Sequence, residues 1–156
     1  MIKLLIALAV LFLAVCLFFL YLSMSTKKPE LGIVNNHLLP CPESPNCVST
    51  EAGTDRAHFV EPIAFTQLPE DVEQLLLGVL TGMGGHVVEQ KQDYIHAEFT
   101  SRIFRFVDDV EIRIDEKHKA VHIRSASRVG YSDFGVNTKR VQQIKRRLST
   151  VFQVGQ

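Results

Sequence analysis

The chain opens on an unbroken apolar run, Leu4 to Leu22, nineteen residues counting Tyr21. As a helix at ~1.5 Å per residue this run spans ~28 Å, close to the hydrocarbon thickness of a bilayer. Beyond it the pattern becomes polar and broken. Ser23 to Leu39 carries Pro29 and Gly32 as breakers and predicts a linker. In Pro40-Cys41-Pro42-Glu43-Ser44-Pro45-Asn46-Cys47 the prolines and the asparagine exclude regular structure and favour a preset loop. His58 to Phe65 then reads as a strand with Phe59, Ile63 and Phe65 on one face, and Pro62 marks an edge or a bulge.

Leu68-Pro69-Glu70-Asp71 opens a helix, since proline suits the first turn and the acids complement its dipole. Val72, Leu75, Leu76, Val79 and Leu80 recur at helical spacing until Gly82, Gly84 and Gly85 end it. From His86 the period changes to two. His86–Lys91, Tyr94–Thr100, Phe104–Asp115 and Ala120–Arg128 predict four strands, and their short links predict antiparallel hairpins with one buried face. Tyr94, His96, Glu98, Glu111, Arg113, His122 and Arg124 then face water as cross-strand pairs. Asn137 caps a final helix with Val141, Ile144, Leu148 and Val151 as its apolar stripe, and Lys139, Arg140, Lys145, Arg146 and Arg147 form its wet face.

The order β-α-β-β-β-β-α predicts an α+β fold: a two-layer domain, with a five-stranded antiparallel sheet and two helices on one face, preceded by one transmembrane helix. The expected divisions are residues 1–24 as anchor, 25–39 as linker and 40–156 as the soluble domain.

Charge and cysteine decide the setting. Of 17 Lys and Arg, 14 remain once Lys3, Lys27 and Lys28 are set aside, against 17 Asp and Glu. A mildly acidic domain argues against nucleic acid as a partner. No A-x-A pattern follows the apolar run, so it reads as an uncleaved anchor rather than a removed signal. A lipoprotein signal needs a small residue before Cys16, and Val15 is too large. Lys3 and the α-amine balance Lys27 and Lys28, so the flanking charges hardly orient the span. Cys41 and Cys47 can close a small ring worth about 2 kcal/mol. The rival readings are a metal site including His37 and a pair of reduced thiols; metal-binding cysteines sit closer together and need further ligands. A disulfide implies an oxidising compartment. That predicts a single-pass protein of the inner (cell) membrane whose domain faces the periplasm or another extracytoplasmic space.

The chemistry concentrates between Val121 and Arg140. Arg124, Arg128 and Arg140 could converge near the start of the last helix, and with Asp133 and Asn137 they make a candidate site for an anion. The competing reading is internal: Asp108, Asp109 and Asp133 neutralise the arginines and fix the connection. A metal held by His96, His122 and a carboxylate lacks diagnostic spacing. Ser125 or Ser127 with His122 and Asp133 holds a triad's ingredients without a nucleophile elbow. Asp108-Asp109 with Glu111 as a metal clamp fares no better. No catalytic residue, metal or cofactor is therefore assigned. The basic face of the last helix offers a further contact for lipid headgroups or an acidic partner.

The motif Cys41-Pro42-Glu43-Ser44-Pro45-Asn46-Cys47-Val48-Ser49, the pair Asp108-Asp109, and Arg124 to Asn137 (RSASRVGYSDFGVN) occur together. This combination resembles the family known as domain of unknown function 1499, found in bacteria and plastid-bearing eukaryotes. The resemblance runs from about Leu38 to Phe152 and implies an envelope or membrane-associated setting, with no activity to carry over. It adds weight to Cys41, Cys47, Arg124, Arg128, Asp133, Asn137 and Arg140 without assigning roles. The expectation is a non-enzymatic, membrane-anchored envelope domain that binds an anionic ligand or a protein partner through the arginine-rich segment. The alternative is a hydrolase or metal-dependent enzyme using His96, His122 and nearby carboxylates.

Overall fold

A computed structural model describes residues 1–149 and Phe152. Helix α1 (Ile2–Ser25) is the one described helix long and apolar enough to cross a membrane. It is followed by a small hairpin, β1 (Ile33–Val34) and β2 (His37–Leu38), inside the stretch expected as linker. Then come β3 (Cys47–Ser49), β4 (Ile63–Ala64), α2 (Val72–Gly82), β5 (His86–Lys91), β6 (Tyr94–Thr100), β7 (Val107–Asp115), β8 (Ala120–Ser127) and α3 (Val136–Ser149).

The architecture is the expected α+β, with an antiparallel sheet of six strands rather than five. Strands β3-β8-β7-β6-β5 lie side by side, and β4 shares the free edge of β8 with β3. β3 pairs with residues 124–126 and β4 with 120–121, so two short segments cover one edge. The expected strand from His58 shrinks to Ile63–Ala64, directly after Pro62, which cannot donate to a ladder. Phe104 and Phe106 lie in the β6–β7 loop, ahead of β7, rather than in the strand.

Alternation along the strands decides what each face meets. Ile95, Ala97, Val110, Ile112, Ile114, Val121 and Ile123 point to one side, where Leu76 and Leu80 of α2 and Val141, Ile144 and Leu148 of α3 close the core. Val151, the last residue of the expected stripe, lies outside the described residues.

The other face departs from expectation. Tyr94, His96, Glu111, Arg113, His122 and Arg124 are all at least nine-tenths buried instead of wet. The chain from Thr26 through His58 folds back across them: Gly32 N–H donates to Glu111, and Leu38 N–H donates to Glu51, which grips Arg113. Buried charge is tolerated here because nearly every charged group finds an opposite partner.

Candidate functional site

Three charge clusters lie along the covered face. At one end Glu51 is the hub. Arg113 reaches it with Nε and Nη2 at 2.9 and 3.0 Å, His37 Nδ1 lies 2.9 Å away, and the Arg113 Nη1 donates to Asp115 at 2.9 Å. Burial alone would raise the Glu51 pKa, but the bonds from Arg113 and its neighbours outweigh burial and hold it down to about 2. His122 beside it donates Nδ1–H to the Thr50 carbonyl at 3.1 Å, and burial pushes its pKa below the usual value.

In the middle Glu111, fully buried, accepts from Tyr94 Oη (2.9 Å), Gly32 N–H (2.9 Å) and Arg124 Nη1 (3.1 Å). Burial, reinforced by that carboxylate, pushes the Tyr94 phenol well above its ordinary pKa.

At the far end Asp109 takes both prongs of Arg128, Nε at 2.8 Å and Nη2 at 2.6 Å, and His96 Nε2 at 2.7 Å. Arg128 also donates to Glu98. Burial opposes ionisation of Asp109, but the bonds from Arg128 and His96 prevail and keep its pKa low. His96, Glu98 and Asp109 offer ligand atoms within 4.8 Å of one another. The Arg128 guanidinium bridges the two carboxylates.

Arg140 belongs to the opposite face. It donates to Asp108 at 2.6 Å and to Ser125 at 3.1 Å, and its guanidinium carbon sits 4.7 Å from the Phe99 ring centre. Asn137 accepts from Ser125 (2.6 Å) and donates to Asn46 O and Ser127 Oγ, both at 2.9 Å. Asp133 caps α3 in its place: its carboxylate receives Gly135 N–H at 3.0 Å and Asn137 N–H at 2.6 Å.

The five candidate residues are therefore divided by the sheet. Arg124 and Arg128 lie under the covering segment, whereas Asp133, Asn137 and Arg140 lie at the start of α3. Asp108 and Asp109 serve one cation on each side.

The enzyme alternative is dispersed likewise. His96 is level with Arg124 through Glu111, so it stands two strands across and two residues along from His122, about 12 Å away. Ser125 faces α3 while His122 faces the cover, so no serine–histidine pair forms. Asn46, expected only as a turn former in the cysteine loop, and Glu51, not expected at all, are both central to these networks; nothing in the local sequence of Glu51 distinguishes it from a solvated loop residue.

A cavity opens on this face beside Arg124 and Arg128, and another beside His37, Arg113 and Asp115. The first is the one of interest. It measures about 220 Å³ and is lined by Thr26, Lys27, Pro42, Asp109, Arg124 and Arg128, among others. Arg124, 7% exposed, leaves its Nε buried without a hydrogen-bond partner, alone among the buried side-chain nitrogens and oxygens of the described residues. Cys41 and Cys47 are joined by a disulfide, which closes the loop that carries Pro42 and Asn46.

A family model described as "Protein of unknown function (DUF1499)" matches residues 37–148. No curated protein and no solved structure matches the chain.

Proposed function

The chain belongs to the family of unknown function DUF1499, and from that premise we propose a single-pass membrane protein whose domain binds a small anionic group beneath its covering segment. The anchor is α1, in the inner (cell) membrane. The disulfide supports an extracytoplasmic domain, facing the periplasm where there is one, because such bonds persist in oxidising compartments.

The observation that carries the reading is Arg124, which lines the cavity and whose buried Nε has no hydrogen-bond partner. A buried guanidinium N–H without an acceptor costs on the order of 1–3 kcal/mol, which an incoming oxygen recovers. Lys27, Arg124 and Arg128 line the cavity against one acid, Asp109, whose charge Arg128 already meets. Such a site favours one carboxylate or phosphate group rather than a polyanion. Arg140, Asp133 and Asn137 hold the α3 start in place and form no part of it.

The test is titration of the full-length protein, in nanodiscs of neutral lipid, with inorganic phosphate and with acetate. Saturable binding of one of them is expected, weakened roughly tenfold or more by Arg124→Gln. Lys27→Gln, at an exposed position, gives a second reading that leaves the buried pairs intact. Absence of saturable binding by both anions removes the proposal.

A further inference from the structure

The most exposed apolar side chains outside α1 are gathered in one place. The three most exposed are Ile103 at 75%, Tyr131 at 76% and Phe134 at 90%. All three sit at one end of the sheet. β6 ends at Thr100, β7 begins at Val107 and β8 ends at Ser127, so the β6–β7 loop and the β8–α3 connection project from the same edge.

That end also meets the anchor. The Phe19 ring lies 5.3 Å from Phe104 and 5.8 Å from Phe106, and Ser23 Oγ donates to the Arg105 carbonyl. Phe19 precedes the end of α1 by six residues, ~9 Å along a helix. The 24 residues of α1 extend ~36 Å, longer than a hydrocarbon layer of ~30 Å. With α1 centred on that layer, Phe19 sits ~6 Å inside the hydrocarbon, so a loop that reaches it touches the outer acyl chains just beneath the headgroups.

The two tips are built to be held there. Ser101 N–H donates to Phe106 O at 2.8 Å, and Phe106 N–H donates to Ser101 Oγ at 2.9 Å, which pinches the loop shut. Arg102 and Arg105 flank its apolar point, as basic residues do at a lipid surface. Phe134 adopts a left-handed backbone, φ 53°, between Asp133 and Gly135. A bulky residue in that region costs on the order of 1–3 kcal/mol, yet its ring is neither buried nor packed inside the domain. The opposite end of the sheet is more polar: beside Ile33 and Val34, 39% and 52% exposed, its turns carry Asn35, Asn36, Asp93, Glu116 and Lys117.

We infer that the β6–β7 loop and the β8–α3 connection form a second membrane contact, which seats Ile103, Phe104, Tyr131 and Phe134 in the interface of the bilayer that α1 spans. Interfacial aromatic rings and adjacent arginines suit that boundary. The domain then lies against the membrane with this end down, instead of swinging on a free linker. The inference rests on the anchor reading of α1, and the experiment separates the two.

The chain contains no tryptophan, so single replacements report their own surroundings. Full-length variants Ile103→Trp, Phe134→Trp, Val34→Trp and Leu11→Trp are reconstituted in vesicles with and without brominated phosphatidylcholine. The first two are expected to emit at blue-shifted wavelength and to lose the greater part of their intensity to bromine. Val34→Trp, at the far end, keeps its emission, and Leu11→Trp is quenched most deeply. Quenching of Leu11→Trp alone overturns the second contact and leaves the anchor standing. Loss of quenching at Leu11→Trp overturns both. A blue shift at Ile103→Trp and Phe134→Trp without bromine quenching also overturns it, since the tips are then covered by protein. Both tip positions are exposed, and an unchanged melting temperature shows that the fold is retained.

Discussion

Arg113 and Glu51, 62 residues apart, form a two-pronged ion pair at 2.9 and 3.0 Å with both side chains about 95% buried. Arg113 stands in the sheet, and Glu51 belongs to the chain that covers it. The pair therefore clamps the cover to the sheet. The same Glu51 receives Leu38 N–H, which brings the β1–β2 hairpin into the clamp.

Breaking one half of this clamp leaves a buried charge uncompensated. Glu51→Gln is expected to lower stability by about 3–5 kcal/mol in urea unfolding of the full-length protein. The double variant Glu51→Leu with Arg113→Met recovers part of that loss: no buried charge is left within the pair, but Leu38 N–H and Asp115 lose their partners. A neutral Glu51→Gln would mean that the clamp does not hold the cover.

Acid acts on the same cluster. Glu51 has a pKa of about 2 in the fold against 4.5 for the free side chain. Its contribution, roughly 3 kcal/mol, is complete above pH 4.5 and disappears as pH falls towards 2. His122 is also depressed from 6.5, mainly by burial. The unfolded chain takes up that proton first, so stability begins to fall below about pH 6.5. A melting curve series is expected to be flat near pH 7, to slope gently below 6.5 and to steepen below 4.5. His122→Gln should flatten the gentle segment and leave the steep one.

Reduction of Cys41–Cys47 opens a ring of short span. The expected loss is about 2 kcal/mol, read as a lower melting temperature in dithiothreitol and equally in Cys41→Ser. Thiol titration of the unreduced, denatured protein should find only Cys16, the free cysteine.

Two glycines give opposite results on replacement by alanine. A Cβ on Gly85 would stand 2.7 Å from Phe99 Cζ and 2.9 Å from Leu80 O, so Gly85→Ala forces β6 and α2 apart and costs about 1–3 kcal/mol. A Cβ on Gly78, within α2, meets nothing within 4 Å. Gly78→Ala is expected to stabilise by about 0.4–1 kcal/mol, chiefly by restricting the unfolded chain. Chemical denaturation of the two variants side by side checks both signs.

The elements legible in the sequence are those whose signal is local. The stripe from Val72 to Leu80 and the alternation through Tyr94–Thr100 and Ala120–Ser127 fix α2, β6 and β8 because each residue's fate depends on its near neighbours. The N-terminal apolar run is legible for the same reason. The cover is not, since Gly32 finds Glu111 across 79 residues. Polar alternation in β6 to β8 has the same appearance whether water or a paired counter-charge lies opposite. Proximity in sequence misleads at the arginines, where parity is informative: Arg124 and Arg128 are four apart on one strand path and share a face. Asp108 and Asp109 are adjacent and must diverge. The same parity separates Ser125 from His122 and leaves Arg140, on α3, with Asp108.

The return of residues 26–58 over the sheet determines where the chain can be cut. A water-soluble fragment beginning at residue 40 would discard Gly32, His37 and Leu38, strip donors from Glu111 and Glu51, and hydrate a layer of ions evolved to stay dry. Crystallographers and enzymologists seeking a soluble form should start it at Thr26, so that the tether's distal half travels with the body it seals.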